Sequence, residues 1–144
     1  MAERDVSADV ITELLPLGRY VETSDGYQMG WPGSGLAFTA GGTTARIEIT
    51  DDGDGWMDVQ VDGENRTLDL EPGTHWYTLY DGPMADRRLR LTRRSEFYDT
   101  GYFTLGGLEA DGDIKWADAN RKILFLGDSI TAGFGVAGDT KACA

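Results

Sequence analysis

The sequence is poor in cysteine and in basic residues, and each shortage excludes a class of protein. Cys143 is the only cysteine and has no partner within the chain, so there is no disulfide framework. Asp and Glu number 25 against 13 Lys and Arg, which gives a formal net charge of -12. A charge of that sign repels phosphate backbones and anionic lipid surfaces, so we expect neither a nucleic-acid partner nor a membrane partner.

Long apolar runs are also missing. No stretch approaches the roughly 20 residues that span a bilayer. Met1–Asp9 is charged and lacks both the apolar core and the cleavage site of a leader peptide. The sequence therefore predicts either a cytoplasmic protein or a secreted one whose leader has been removed, and it leaves the localisation open.

What the sequence does contain, from about Leu15 to Leu108, is a series of short strand patterns separated by glycine-rich turns. Alternation is clearest at Ala45, Ile47 and Ile49, which we expect on the buried face of one strand. About eight such strands at this spacing predict an all-β fold, a jelly-roll-like β-sandwich. We assign it to residues 13–110, after an N-terminal tail at 1–12.

One turn within this region has a specific signature. Asp62-Gly63 separates the run that ends at Val61 from the run that begins at Asn65. Asp-Gly is favoured in two-residue hairpin turns because both positions need a positive φ. The sequence predicts a tight hairpin at this point.

The charged and aromatic side chains of the β-region leave two interpretations open. An arginine cluster on one strand pattern is expected to be a solvated face, and contact with a sugar acid or a phosphate is the alternative. The tryptophans are expected in the core, whereas exposed rings on one sheet would favour a non-catalytic carbohydrate-binding module. The arginines are Arg87, Arg88, Arg90, Arg93 and Arg94, and the tryptophans are Trp31, Trp56 and Trp76.

The pattern changes near residue 110. Residues 111–120 are polar and unpatterned, and we interpret them as a linker. Ile123–Leu126 is apolar at every position, as in a central strand of a parallel sheet covered by helices on both faces. Residues 121–144 are therefore expected to be the first strand, turn and helix start of a truncated α/β domain.

The turn after this strand carries a candidate nucleophile, Ser129. A serine at a strand-to-helix turn lies near the free N–H groups and the positive dipole end of the helix. Its hydroxyl still needs a base to take its proton. His75 is the only histidine in the sequence, and it falls in the β-region, where we expect a partly exposed strand residue.

Two sets of residues carry a resemblance to a known family. The run KILFLGDSITAG, Lys122–Gly133, closely resembles the first sequence block of the SGNH (GDSL-type) hydrolases, whose domain is flavodoxin-like. The β-region ahead of it resembles the jelly-roll domain that precedes this block in carbohydrate esterase family two. That second likeness rests, in order, on Gly18–Tyr20, Trp31–Phe38, Asp58–Gly63 and Leu91–Glu96.

The resemblance implies a carbohydrate O-acetyl esterase that deacetylates polysaccharides such as xylan through a serine ester. In that family Ser129 would be the nucleophile and its backbone N–H one oxyanion donor, while Asp128 would brace the turn. The acetylated carbohydrate would be the substrate, and no organic cofactor or metal is implied. The histidine base and the remaining oxyanion donors have no counterpart in the sequence, so the fragment is expected to be inactive. A separate chain that carries the rest of the hydrolase domain is one open alternative.

Overall fold

The structure is a computed structural model that describes residues 16–96, 100–116 and 126–128. The described residues form ten strands, and every pairing between these strands is antiparallel. The strands are β1 (Val21–Thr23), β2 (Gly26–Met29), β3 (Gly35–Ala40), β4 (Thr44–Asp51), β5 (Trp56–Val61), β6 (Glu64–Asp69), β7 (Gly73–Asp81), β8 (Arg87–Arg93), β9 (Phe103–Ala110) and β10 (Ile114–Trp116).

The strands form two five-stranded sheets. Sheet I has the order β1-β2-β9-β4-β7, and sheet II has the order β10-β3-β8-β5-β6. The pairs β5–β6, β4–β7, β3–β8 and β2–β9 are nested around the β5–β6 hairpin and alternate between the sheets. This rolled-up ladder is the jelly-roll arrangement. The predicted all-β sandwich is confirmed.

The hairpin at the centre of the ladder has the predicted turn. Asp62 has a φ of 50° and Gly63 a φ of 93°, and Val61 pairs with Glu64 across the two-residue loop. Both central residues therefore have the positive φ that this turn type requires.

The core lies between the inner faces of the two sheets. Ala45, Ile47 and Ile49 of β4 are buried as predicted, and the residues between them face the outside of sheet I. Met57 and Val59 of β5 face them from sheet II. Each sheet is thus apolar on one side, and burying the two apolar sides against each other holds the sandwich together.

Two parts of the chain differ from the prediction. The short strand β2 was not predicted because Gly26 and Gln28 interrupt its apolar pattern. Strand β10 lies inside the segment predicted as a linker, where it pairs with β3 from Phe38 to Ala40. A three-residue edge strand is held by its neighbour rather than by a pattern of its own, so its sequence carries little signal. The β-structure therefore extends at least to residue 116.

The α/β opening predicted at residues 121–144 lies outside the described residues except for 126–128. Within the part of the chain that the structure describes, no helix is long and apolar enough to cross a bilayer.

Candidate functional site

The predicted nucleophile, Ser129, lies outside the described residues. Its three predecessors are described, and Leu126, Gly127 and Asp128 are all exposed. Leu126 has 85% of its surface in solvent. The roles given to Ser129 and Asp128 stay predictions.

The only histidine is a partly exposed strand residue, as predicted. His75 lies on β7, where its Nε2 is 3.0 Å from the carbonyl oxygen of Pro72. Its ring meets that of Tyr77 edge to face, with 6.3 Å between the ring centroids. These contacts fix the imidazole beside the turn that precedes β7.

The tryptophans do not follow the prediction that placed them in the core. Trp31 and Trp76 have exposed fractions of 45% and 40%, and Trp56 is half-buried. They lie on different surfaces, because Trp56 faces outward from sheet II, Trp76 faces outward from sheet I, and Trp31 lies in the turn before β3. Together these three rings do not form the single platform that a stacking carbohydrate-binding module needs.

Trp76 points outward from β7 and packs on the outer face of sheet I at an irregularity in the strand pairing. Ile47 pairs with Leu108 but Ile49 pairs with Leu105, so two glycines of β9 lie opposite Glu48. A Cβ at the second of them, Gly107, would lie 2.7 Å from Cη2 of Trp76. Because Gly107 has no side chain, the indole can pack directly on the backbone of β9. The Arg46 guanidinium lies 5.1 Å from the centroid of the indole ring. The ring is thus held against the protein surface by its own chain.

The arginine cluster does not form a uniformly solvated face. Arg88 and Arg90 are exposed, but Arg93 is buried. The reason lies in the alternation along β8, since Arg93 shares the inward side with Leu89 and Leu91. The prediction of a solvated face is therefore wrong for Arg93.

Arg93 joins the two sheets through a buried ion pair. Its Nη1 lies 3.5 Å from Oδ1 of Asp51, at the end of β4. Its Nε donates to the carbonyl oxygen of Ser95 at 2.7 Å, and its Nη2 donates to the carbonyl oxygen of Gly101 at 2.7 Å and to the Thr100 hydroxyl. These bonds tie β8, β4 and the chain on either side of residues 97–99 together.

Burial shifts the pKa of both members of this ion pair. Loss of solvent raises the pKa of Asp51, against the lowering effects of the Gly55 N–H and of Arg93. The same desolvation lowers the pKa of Arg93, and Asp51 offsets part of that change. Buried charges of this kind are structural when every contact is within the protein, so we assign the pair to the fold and not to ligand binding.

The outward side of sheet II carries the other arginines, and we call it the arginine face. It consists of alternate residues of three adjacent strands, β8, β5 and β6. Strand β8 provides Arg88, Arg90 and Thr92, followed by the adjoining Arg94. Strand β5 provides Asp58 and Gln60, and strand β6 provides Asn65 and Thr67.

Part of the arginine face is already paired. Arg94 Nη1 donates to Asp58 Oδ1 at 3.3 Å and to the Thr67 hydroxyl at 3.4 Å. Gln60 Nε2 donates to Asn65 Oδ1 at 3.0 Å. These contacts build a polar floor across β5 and β6.

The floor belongs to an open depression of about 320 Å³. Its lining is Asp58, Gln60, Asn65, Arg90, Thr92 and Arg94. Guanidinium, amide and hydroxyl groups in one concave surface suit a ligand with both hydroxyl and carboxylate groups. No group of His, Cys, Asp and Glu side chains suited to a metal ion occurs among the described residues.

The jelly roll and its polar face place the chain in a class of β-sandwich domains, and comparison with known proteins gives the family. Residues 17–119 match the family described as Carbohydrate esterase 2 N-terminal, which covers more than half of the chain. The chain therefore belongs to the carbohydrate esterase 2 N-terminal family. No protein of curated function matches it.

Solved structures of family two carbohydrate esterases have the same fold. One from Cellvibrio japonicus is 27% identical with a TM-score of 0.78, and the match covers 90% of this chain and 41% of that chain. One from Clostridium thermocellum, solved in complex with cellohexaose, is 29% identical with a TM-score of 0.75, covering 88% and 41%. An acetyl xylan esterase from the rumen bacterium Butyrivibrio proteoclasticus is 24% identical with a TM-score of 0.74, covering 84% and 35%, and it shows likeness of fold alone.

The chain thus spans about two fifths of the length of these structural relatives. The suspected family is confirmed for the β-domain.

Proposed function

We propose that the chain is the N-terminal part of a carbohydrate O-acetyl esterase. The observation that carries this proposal is the family match over residues 17–119, directly followed by the block Lys122–Gly133. In this proposal residues 121–144 open the hydrolase domain, and acetylated polysaccharide such as xylan is the substrate.

The reaction would begin at Ser129. Its Oγ attacks the acetyl carbonyl carbon, a base takes the hydroxyl proton, and the carbonyl oxygen becomes an oxyanion that the Ser129 backbone N–H stabilises. The sugar oxygen then leaves with that proton, and water hydrolyses the acetyl-serine. Asp128 would hold the turn that presents Ser129.

The base would come from outside this sequence. His75 is the only histidine, and its Nε2 is already 3.0 Å from the carbonyl oxygen of Pro72 in the β-domain. We therefore propose that residues 1–144 by themselves do not hydrolyse esters, because a serine hydroxyl without a base is a weak nucleophile at neutral pH.

Hydrolysis of a chromogenic acetate ester tests this proposal. Four samples are compared, namely the chain as it is, the chain extended through a complete hydrolase domain, and the extended form with either Ser129→Ala or His75→Asn. We expect turnover only in the extended form and in its His75→Asn variant, which is the matched control for loss of a histidine.

Two results would contradict the proposal. If the extended form still hydrolyses the ester after Ser129→Ala, then Ser129 is not the nucleophile. Hydrolysis by residues 1–144 that depends on His75 would show that the β-domain supplies the base.

A further inference from the structure

Two arginines of the arginine face have no ion-pair partner among the described residues. Arg88 and Arg90 are exposed, and within the described residues neither guanidinium has a hydrogen-bond or ion-pair partner. The Arg88 backbone N–H donates to Asp62 Oδ1 at 2.9 Å and its carbonyl oxygen accepts from the Asp62 N–H at 2.9 Å, whereas the Arg88 guanidinium has only a minor Coulombic effect on that carboxylate. By contrast, the guanidiniums of Arg87 and Arg94 contact carboxylates on the protein.

A third such cation lies on the same face. Lys115 of β10 pairs in register with Thr39, and Thr39 pairs with Arg88, so the three residues form one row across three strands. Lys115 is exposed and likewise has no carboxylate partner among the described residues. Neighbouring strands are about 4.8 Å apart and residues two apart on a strand about 7 Å apart, so the three cations span roughly 10 Å by 7 Å.

These three cations lie on one face of a chain whose net charge is -12. Exposed guanidiniums without an ion-pair partner recognise carboxylate or phosphate, and carboxylate fits their planar fork in a bidentate manner. A polymer with a phosphate at every unit is repelled by the acidic remainder of the protein, whereas a polymer with a carboxylate on only some units is repelled less.

The rest of the face also fits a sugar polymer. The depression of about 320 Å³ is lined by Arg90, by the Asp58–Arg94 ion pair, and by three neutral side chains, Gln60, Asn65 and Thr92. The amides and the hydroxyl of the neutral side chains match the hydroxyls of a sugar ring beside the carboxylate.

We infer that the arginine face, with Lys115, binds an acidic polysaccharide whose uronate carboxylates pair with Arg88 and Arg90. The inference rests on the proposed function in taking the ligand to be a polysaccharide, and it names the substrate class that this domain selects. The residues of this binding site do not include Ser129.

Affinity electrophoresis of residues 1–144 in native gels tests the site. The gels contain either uronate-substituted xylan or neutral xylan, each at low and at high salt. We expect retention by the uronate-substituted xylan only, and weaker retention at high salt because exposed charge pairs are screened.

Variants locate the site on the protein. Arg88→Gln and Arg90→Gln should each weaken the apparent binding constant about tenfold, since a charge-assisted bond to carboxylate is lost. Arg46→Gln removes the same charge from the outer face of sheet I and should change binding by less than about twofold. Free galacturonate should compete better than inorganic phosphate.

Several outcomes would overturn the inference. The first two are equal retention by neutral and acidic xylan, and no retention by either. The others are an Arg46→Gln variant that weakens binding as much as Arg88→Gln or Arg90→Gln, and phosphate that competes better than galacturonate. Retention that disappears in the chain extended through a hydrolase domain would show that the face contacts that domain instead. If the extended form hydrolyses the ester while the gels show no retention, this inference fails and the proposed function stands.

Discussion

Replacing Arg93 with methionine is the most informative perturbation of the fold. Methionine is unbranched and about as long as the aliphatic part of arginine, but it lacks the charged guanidinium and its donors. Asp51, which is 2% exposed, would then keep only its bond from the Gly55 N–H, at 2.8 Å. The carbonyl oxygens of Ser95 and Gly101 would each lose a donor.

The expected magnitude follows from these losses. Breaking a buried ion pair on one side costs about 3–5 kcal/mol because it leaves an uncompensated charge. Each unsatisfied buried acceptor costs about 1–3 kcal/mol by itself, but these terms overlap with the first. We expect the free energy of unfolding to fall by about 3–5 kcal/mol, a large part of the roughly 5–15 kcal/mol typical of a domain.

Urea unfolding followed by tryptophan fluorescence measures this loss. Arg90→Met is the matched control on the same strand, and as an exposed substitution it should change stability by no more than about 0.5 kcal/mol. The double variant Asp51→Leu/Arg93→Met removes both buried charges and should be more stable than Arg93→Met alone. A loss below about 1 kcal/mol for Arg93→Met, or a double variant less stable than the single one, would refute the reasoning.

Two further predictions concern turns. Gly63→Ala should cost about 1–2 kcal/mol, because the φ of 93° is unfavourable for a residue with a Cβ although no atom lies within 4 Å of it. Gly63→Asn should cost less in the same urea titration, and equal costs would contradict the conformational argument. Asp111 accepts bonds from the N–H groups of Thr43 and Thr44 and from the Thr43 hydroxyl, which lower its pKa from 3.8 to about 2. Its contribution should be full above pH 3.8 and lost as the pH falls through about 2, so the stability gap between wild type and Asp111→Asn should close over that range in thermal melts. A gap that stays constant would show that ionisation of Asp111 does not matter.

The periodicity of the sequence accounts for most of the fold. The alternation in β4 marked the buried residues correctly, because successive side chains of a strand point to opposite sides and only one side of this sheet is buried. Asp62-Gly63 fixed the central hairpin for an equally local reason, since few residue pairs adopt a positive φ at both positions. The block Lys122–Gly133 likewise carries its resemblance in neighbouring residues, because the predicted strand, the predicted turn and the predicted nucleophile Ser129 follow one another in the sequence.

Contacts between residues that are far apart in the sequence could not be predicted from local patterns. The inward position of Arg93 follows from the alternation of Leu89, Leu91 and Arg93, and that signal was present but was outweighed by the neighbouring arginines. Its partner Asp51 is 42 positions earlier, and no local pattern connects the two. The packing of Trp76 on the sheet depends on Gly107, and this contact exists only because β4 lies between β7 and β9.

The sequence by itself determined most of the strand segments, the apolar face of a strand such as β4, and the position of the central turn, because these depend on neighbours in the chain. Only the tertiary structure decided which strands pair, and therefore that Arg88, Arg90 and Lys115 share one outer face while Arg93 is buried. Strand pairing is set by the mutual burial of two sheets and not by any one segment, so the charge pattern of the arginine face emerges only when the ladder has folded.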